Sequence, residues 1–290
     1  MDIRELGYVV VGAPKLDAWR EYGAEVLGMM PLDSPNGELY LKMDRRAYRL
    51  MVVEHEQDKL LCAGWLVASE QEWLAARKEF EDRGVSVQAG SDPRRTRQLQ
   101  DYFEFEDPAG NRHEIGWGPI SDFKPFVSPV GVPSFITGDQ GLGHVVLPAN
   151  DKFEDMVSFW VDFMQFGVSD LLHTDPVTGS NKVLFLHANN PRQHSLVFAP
   201  MENPVGCFHM MVQVPSIDDV GYALDRVAAQ GVRLATSLGK HVNDHMISFY
   251  MDSPAGFRVE YGTGGLEKDW DRNVVFETTE GSFWGHHPVE

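Results

Sequence analysis

Cysteine is nearly missing: Cys62 and Cys207 are the only two in 290 residues. That is too few for a disulfide framework, and neither belongs to a CxxC pair with zinc spacing. Basic residues are outnumbered, 25 Lys and Arg against 43 Asp and Glu, for a formal charge of −18. A surface of that sign repels phosphate backbones and anionic lipid, which argues against nucleic acid and membrane surfaces as partners. Long hydrophobic runs are absent as well, since no stretch approaches the roughly 18 apolar residues that span a bilayer. The opening Met1-Asp2-Ile3-Arg4-Glu5-Leu6 lacks the basic-then-apolar layout of a secretion signal, and the expectation is a cytoplasmic protein. What remains, 43% hydrophobic and 23% charged, is the composition of a folded globular chain. Its length predicts about two domains with room for a cavity.

The chain repeats itself. Pro108-Ala109-Gly110-Asn111-Arg112-His113-Glu114 and Pro254-Ala255-Gly256-Phe257-Arg258-Val259-Glu260 share one frame, offset by 260 − 114 = 146 positions. Cys62 and Cys207 are offset by 207 − 62 = 145, and Leu6-Gly7-Tyr8-Val9-Val10 matches Leu142-Gly143-His144-Val145-Val146 at 144 − 8 = 136. Near-constant offsets across separate motifs mark a duplication. Each half divides again into a short strand, an amphipathic helix and further strands. The clearest helix follows Ser216, which caps it with Asp219 completing a capping box. Val220, Ala223, Leu224, Val227 and Ala228 then form one apolar face, and Gly231 supplies the stop. Similar units run from Asp17 to Gly28, Glu70 to Gly84 and Asp151 to Gly167, giving four modules. Pro119, Pro125, Pro129 and Pro133 punctuate a linker between the halves. The expected division is an N-terminal duplicate domain without metal over 1–118, a linker over 119–136 and a catalytic, metal-holding domain over 137–290. The tail beyond Gly262, with Trp270, Phe276, Phe283 and Trp284, is too aromatic for a solvated end and should pack on the second half.

Duplication lets one half serve as a control for the other. His144 answers to Tyr8 and His209 to Gly64, whereas Glu260 has a counterpart in Glu114. Two imidazoles and a carboxylate therefore coincide in the second half alone, each on a strand whose alternate side chains face one way. That trio is the facial set used for non-haem Fe(II), with open positions for a bidentate catechol and O2. Its single carboxylate leaves a net positive centre that attracts a catecholate. The competing expectation for a lone strand histidine is a hydrogen-bonded core residue, and Glu114 is expected to be solvated. A second group comprises His194, His241 and Tyr250, residue types suited to moving a proton from a diol and steadying charge on reduced oxygen. Asn243-Asp244 also reads as a loop turn, His245 as a surface residue outside the site, and a packing role for Tyr250 stays open.

At these residues the sequence resembles the vicinal oxygen chelate superfamily and, within it, the type I extradiol dioxygenases. The matching blocks are Thr137 to His144, Cys207-Phe208-His209-Met210, Leu238 to Met246, Phe249-Tyr250, Val259-Glu260-Tyr261-Gly262 and Phe283-Trp284-Gly285-His286. The resemblance implies an α+β fold, two domains each of two βαβββ modules curled around a funnel, and a homo-oligomer. It implies Fe(II) on His144, His209 and Glu260, with His194, His241 and Tyr250 around the bound diol and O2. Asn243 and Asp244 would order His241 through hydrogen bonds, and Val146 and Phe185 would line the substrate pocket. Gln193 stands where many relatives carry another histidine, and Asn189-Asn190-Pro191 carries one residue more than usual beside the pocket. The implied reaction is extradiol (meta) ring cleavage of a bicyclic or polycyclic catechol such as 2,3-dihydroxybiphenyl, a step of aromatic hydrocarbon catabolism. The alternatives are a steroid-catechol dioxygenase, which Asp17 to Gly23 and Leu39 to Asp44 resemble at least as well as the biphenyl branch, a glyoxalase-type isomerase or lyase, and a non-catalytic small-molecule-binding protein of the same fold. Fe(II) and Mn(II) share this ligand set. His194→Ala should slow turnover while leaving iron bound; iron content falling in step with activity would instead make His194 part of the metal shell.

Overall fold

The computed structural model describes residues 1–174 and 182–289. The first half opens with β1 (Glu5–Ala13), a helix α1 (Leu16–Glu21), and β2 (Met30–Asp33), β3 (Leu39–Lys42) and β4 (Leu50–Glu54). It repeats the order with β5 (Lys59–Val67), α2 (Glu70–Asp82), β6 (Gln88–Ala89), β7 (Asp101–Glu106) and β8 (Arg112–Trp117), with a short α3 (Pro93–Thr96) before β7. The second half gives β9 (His144–Pro148), α4 (Phe153–Val157), β10 (Gly167–His173), β11 (Lys182–His187) and β12 (Leu196–Ala199). Then come β13 (His209–Gln213), α5 (Ile217–Ala229), β14 (Leu234–His241), β15 (Ile247–Asp252) and β16 (Arg258–Thr263). Four βαβββ modules result, as the repeat implies.

The modules pair into two sheets, ordered β2-β3-β4-β1-β5-β8-β7-β6 and β10-β11-β12-β9-β13-β16-β15-β14. In each, the first strands of two modules meet antiparallel at the centre, β1 with β5 and β9 with β13. Helix α5 carries the capping box read from the sequence: Ser216 Oγ accepts from Asp219 N at 3.2 Å while Asp219 Oδ2 accepts from Ser216 N at 3.1 Å. Helices α1 and α4 depart from a plain α-helix, each widening into a π-helical turn, Tyr22–Leu27 and Ser158–Phe163. Gly28, at φ 75°, ends the first of these in a backbone region that favours glycine.

Strand alternation sorts the side chains. Val9, Val11, Val145, Leu147, Val259 and Tyr261 join one apolar core together with α2, α5 and the π turns. Phe80 meets Phe163 and Trp65 meets Trp160, so the helical faces of both halves share this core. On the opposite face of the first sheet Tyr8, Val10, Tyr48, Cys62 and Tyr102 close up on one another. The same face of the second sheet lines a cavity. Residues 118–137 hold no helix or strand beyond one bridge, Arg46 to Ser121.

The tail does pack on the second half, although not by burying its rings. Two more strands, β17 (Phe276–Thr278) and β18 (Ser282–Trp284), pair with β10 and β14 and so occupy both edges of the second sheet. Backbone ladders hold them, while Phe276, Phe283 and Trp284 stay about half exposed. Trp270 instead stacks on His187 with ring centroids 3.4 Å apart.

Glu114 corrects the expectation of a solvated side chain, since only 2% of it is exposed. The Arg97 guanidinium grips it from two sides, Nε to Oε2 at 2.8 Å and Nη2 to Oε1 at 2.7 Å. Tyr8 donates its hydroxyl at 2.5 Å and Cys62 its thiol at 3.3 Å. A side chain at Gly64 would collide with the Tyr8 ring, the added carbon lying 2.2 Å from it. The first half thus fills with phenol and guanidinium the place that carries imidazoles in the second. Removing one partner of a buried ion pair strands the other's charge. Arg97→Met should therefore cost about 3–5 kcal/mol in denaturant unfolding, and Arg97→Met with Glu114→Gln distinctly less. Equal losses in both variants would show that the carboxylate does not depend on Arg97.

Candidate metal centre

His144 opens β9, His209 opens β13 and Glu260 lies within β16, three adjacent strands at the middle of the second sheet. Register brings them level: Met211 pairs with both His144 and Glu260, and His209 pairs with Val146. Gly143, at φ 150°, precedes the first ligand because a Cβ there would lie 1.9 Å from the Met211 carbonyl oxygen. Period two does the rest, turning His144, His209 and Glu260 into the cavity while Val145, Met210 and Val259 enter the core.

Three potential ligand atoms converge. His144 Nε2 lies 3.1 Å from His209 Nε2 and 3.2 Å from Glu260 Oε2, and His209 Nε2 lies 3.5 Å from the same oxygen. Donors held about 2.1 Å from one ion lie roughly 3.0 Å apart on an octahedral face and roughly 3.4 Å apart in a tetrahedron. The observed spacing suits a divalent cation. Among the described residues this is the one group of three or more His, Cys, Asp or Glu side chains gathered closely enough to hold a metal ion. His144 Nδ1 is buried and unpartnered among the described residues, which leaves it carrying the ring proton when Nε2 serves as ligand.

Electrostatics around Glu260 are those of a buried anion. Burial alone would raise its pKa, but hydrogen bonds from His144, His209 and His241 outweigh that and hold the carboxyl well below its ordinary range. Ser248 adds its hydroxyl to Oε1 at 2.6 Å. Burial opposes charge on His241 too, yet Glu260, 3.2 Å away, carries its pKa up to about 9. His144 is pushed down to about 4 by burial. His194 falls well below its ordinary value through burial and the adjacent His144 ring, 4.1 Å between centroids. Burial and the nearby Glu260 charge raise the Tyr250 hydroxyl, so it stays protonated.

The cavity has a volume of about 570 Å³ including its mouth. It brings together His144, His209 and Glu260 with His194, His241 and Tyr250, and with Asn243, Asp244, Val146 and Phe185. All ten site residues singled out in the sequence line it. One expectation needs correction: among the described residues no hydrogen bond joins Asn243 or Asp244 to His241. The His241 ring is held by Gly281, whose carbonyl oxygen lies 2.9 Å from Nδ1, and by Tyr250, whose hydroxyl lies 2.8 Å from Nε2. Asp244 spends one oxygen on the Met246 amide, a loop contact within its own turn. The Asn189 to Pro191 stretch also lies outside the cavity lining. Its backbone meets Ile3 and the Trp270 indole instead. His245 stays outside, its ring beside Phe283.

Sequence reasoning missed Leu172, Val183, Val197, Thr278, Glu280 and Gly281 in the wall, and Ser248 and His286 behind Glu260 and His241. Ser248 was within reach of the alternation rule, two residues before Tyr250 on the same strand.

Known proteins share these features. Residues 6–54 match the family model described as Dihydroxybiphenyl dioxygenase BphC D1, and residues 141–261 match the Glyoxalase/Bleomycin resistance protein/Dioxygenase superfamily. An iron-dependent extradiol dioxygenase from Rhodococcus jostii (strain RHA1) is 38% identical, over 99% of this chain and 97% of the relative. A biphenyl-2,3-diol 1,2-dioxygenase from Paraburkholderia xenovorans (strain LB400) is 37% identical, over 100% of this chain and 97% of the relative. The crystal structure of BphC, a halotolerant catechol dioxygenase, superposes with a TM-score of 0.91 at 33% identity, covering 99% of this chain and 95% of that one. A Mn(II)-bound glyoxalase from Novosphingobium aromaticivorans, at 21% identity and a TM-score of 0.80 over 99% of this chain and 92% of that one, shares the fold. With ligand atoms gathered on one sheet and full-length relatives of a single enzyme class, the chain belongs to the extradiol dioxygenases of the glyoxalase/bleomycin resistance/dioxygenase superfamily and is an enzyme.

Proposed function

We propose that this chain holds Fe(II) on His144, His209 and Glu260 and cleaves the ring of a bicyclic or polycyclic catechol such as 2,3-dihydroxybiphenyl beside its diol, inserting both atoms of O2. The observation that carries this reading is the meeting of two imidazole nitrogens and one carboxylate oxygen within 3.5 Å of one another at the wall of a largely apolar cavity. The names of relatives that match nine-tenths or more of this chain, biphenyl-2,3-diol 1,2-dioxygenase and 1,2-dihydroxynaphthalene dioxygenase among them, support a substrate of two rings. Fe(II) over Mn(II) is supported by the relative named for its iron dependence.

When bound, the ion supplies a Lewis-acid and one-electron centre on which diol and dioxygen meet. The chain's own residues handle protons and position. His194, kept neutral by burial, can accept a diol proton and then return it to departing oxygen. Tyr250 and His241, hydrogen-bonded to each other, form a fixed pair that can steady a diol oxygen as it becomes ketonic. Leu172, Val183, Phe185 and Val197 exclude water and take the second ring.

The same reading makes residues 1–118 a structural duplicate, 119–136 a linker and 137–290 the catalytic part. The Arg97–Glu114 pair supports it, since a guanidinium already satisfies the first half's carboxylate. A cytoplasmic homo-oligomer is the expected state. No helix among the described residues is long and apolar enough to cross a membrane. Exposed Phe123, at 98%, and Val127, Val274 and Val275 leave apolar surface for subunits to cover.

Two outcomes are expected. Anaerobic addition of Fe(II) and 2,3-dihydroxybiphenyl followed by O2 should give O2 uptake and a yellow muconic semialdehyde-type acid; the absence of both removes the dioxygenase reading, and a large steady-state preference for a seco-steroid catechol would replace the biphenyl ranking. Glu260→Gln and His209→Ala should each lower bound iron by roughly 10-fold or more at a fixed iron supply, measured by metal analysis after desalting. Full iron retention in both would place the metal elsewhere.

A further inference from the structure

Behind His194 runs a buried polar chain. Gln193 and Asp170 are each about as buried as His194 itself. Gln193 Oε1 lies 2.5 Å from His194 Nδ1, and Gln193 Nε2 donates to Asp170 Oδ2 at 2.5 Å. The other oxygen of Asp170 accepts from the Phe276 amide at 3.2 Å, which fixes the carboxylate in turn.

Burial pushes the Asp170 pKa up to about 6, so near neutral pH and above it is mainly a carboxylate, and in that state the chemistry of these groups permits one polarity. A carboxylate only accepts, so the Gln193 amide must turn its NH2 toward Asp170 and its carbonyl toward His194. A carbonyl also only accepts, so His194 Nδ1 must carry the ring proton. A neutral imidazole protonated at Nδ1 has a bare lone pair at Nε2. His194 lines the cavity, and among the described residues its Nε2 makes no hydrogen bond. Without the carboxylate the amide is free to turn over and offer its NH2 to Nδ1, which moves the ring proton to Nε2 and removes the acceptor.

We propose that Asp170 and Gln193 are positioning residues that hold His194 as the Nδ1–H tautomer, with Nε2 presented to the cavity as a proton acceptor. The proposal rests on the ring-cleavage reading for the role it gives His194. The tautomer itself is a separate observable. An imidazole at position 193 can also accept with one nitrogen and donate with the other, so Gln193→His keeps the relay's direction.

The test uses full-length protein with ring-15N-labelled histidine, loaded with Zn(II) for NMR and with Fe(II) for kinetics, His194→Gln assigning the resonance. Wild type should show a protonated Nδ1 and a bare Nε2 at His194. Gln193→Met should shift that signal toward protonated Nε2 and lower kcat by roughly 10- to 100-fold, with iron content and the anaerobic catechol Kd within about twofold. Gln193→His should restore both the tautomer and, to within about threefold, kcat. Asp170→Asn, nearly isosteric, should give a mixed tautomer and a smaller fall, and stands in should Gln193→Met fail to fold. An unchanged tautomer in Gln193→Met and Asp170→Asn overturns the proposal. So does a fall in kcat matched by iron or catechol affinity and not rescued by histidine. Wild-type enzyme with no O2 uptake but the stated tautomer would sink the ring-cleavage reading alone.

Discussion

A carboxylate with almost no water around it needs positive charge supplied by the protein or by something the protein binds. This chain meets that demand twice, at Glu114 and Glu260, and the two answers define its halves. Glu114 receives a guanidinium, a phenol and a thiol, a set of donors that satisfies it within the protein. Glu260 receives His241 as a charged donor, and His144 and His209, whose rings, when neutral, can turn a lone pair outward and so leave room for a cation. One duplicated framework therefore yields a packed cluster in one copy and a lined cavity in the other.

The framework achieves this by strand geometry. With a period of two, residues flanking His144, His209 and Glu260 go to the shared core, so these three side chains are held by the same packing that stabilises the fold. Pairing across β9, β13 and β16 fixes their heights. Helices of both halves press on the reverse side of the sheets, where Trp65, Trp160, Phe80 and Phe163 interlock. The face that carries His144, His209 and Glu260 is thereby stiffened from behind by side chains of the other half.

What could be read from the sequence was what lay close along the chain or recurred at a fixed offset. The repeat, the four helices, the Ser216 cap and the ligand trio are all of this kind. The failures have a common cause in contacts between remote segments. Glu114 looked solvated because Arg97, its partner, sits in an irregular stretch with no counterpart motif. Asp244 looked like the support of His241 because it is near in sequence, yet Gly281 from the tail takes that part. Leu172, Val183 and Thr278 reach the cavity wall only through the curl of the sheet, and Asp170 gains meaning only once β10 lies beside Gln193.

The tail's two short strands carry one more consequence. They lie on opposite borders of the second sheet and are joined by a few residues across the cavity mouth, Thr278, Glu280 and Gly281 among them. This segment is translated after every ligand-bearing strand. A nascent polypeptide that has already emerged with His144, His209 and Glu260 in place still has two naked sheet margins and a His241 ring without its carbonyl partner. Pairing with these two strands moves the sheet's open margins from β10 and β14 to edges only three residues long, on which copies have little to stick to, and brings the Gly281 carbonyl to His241.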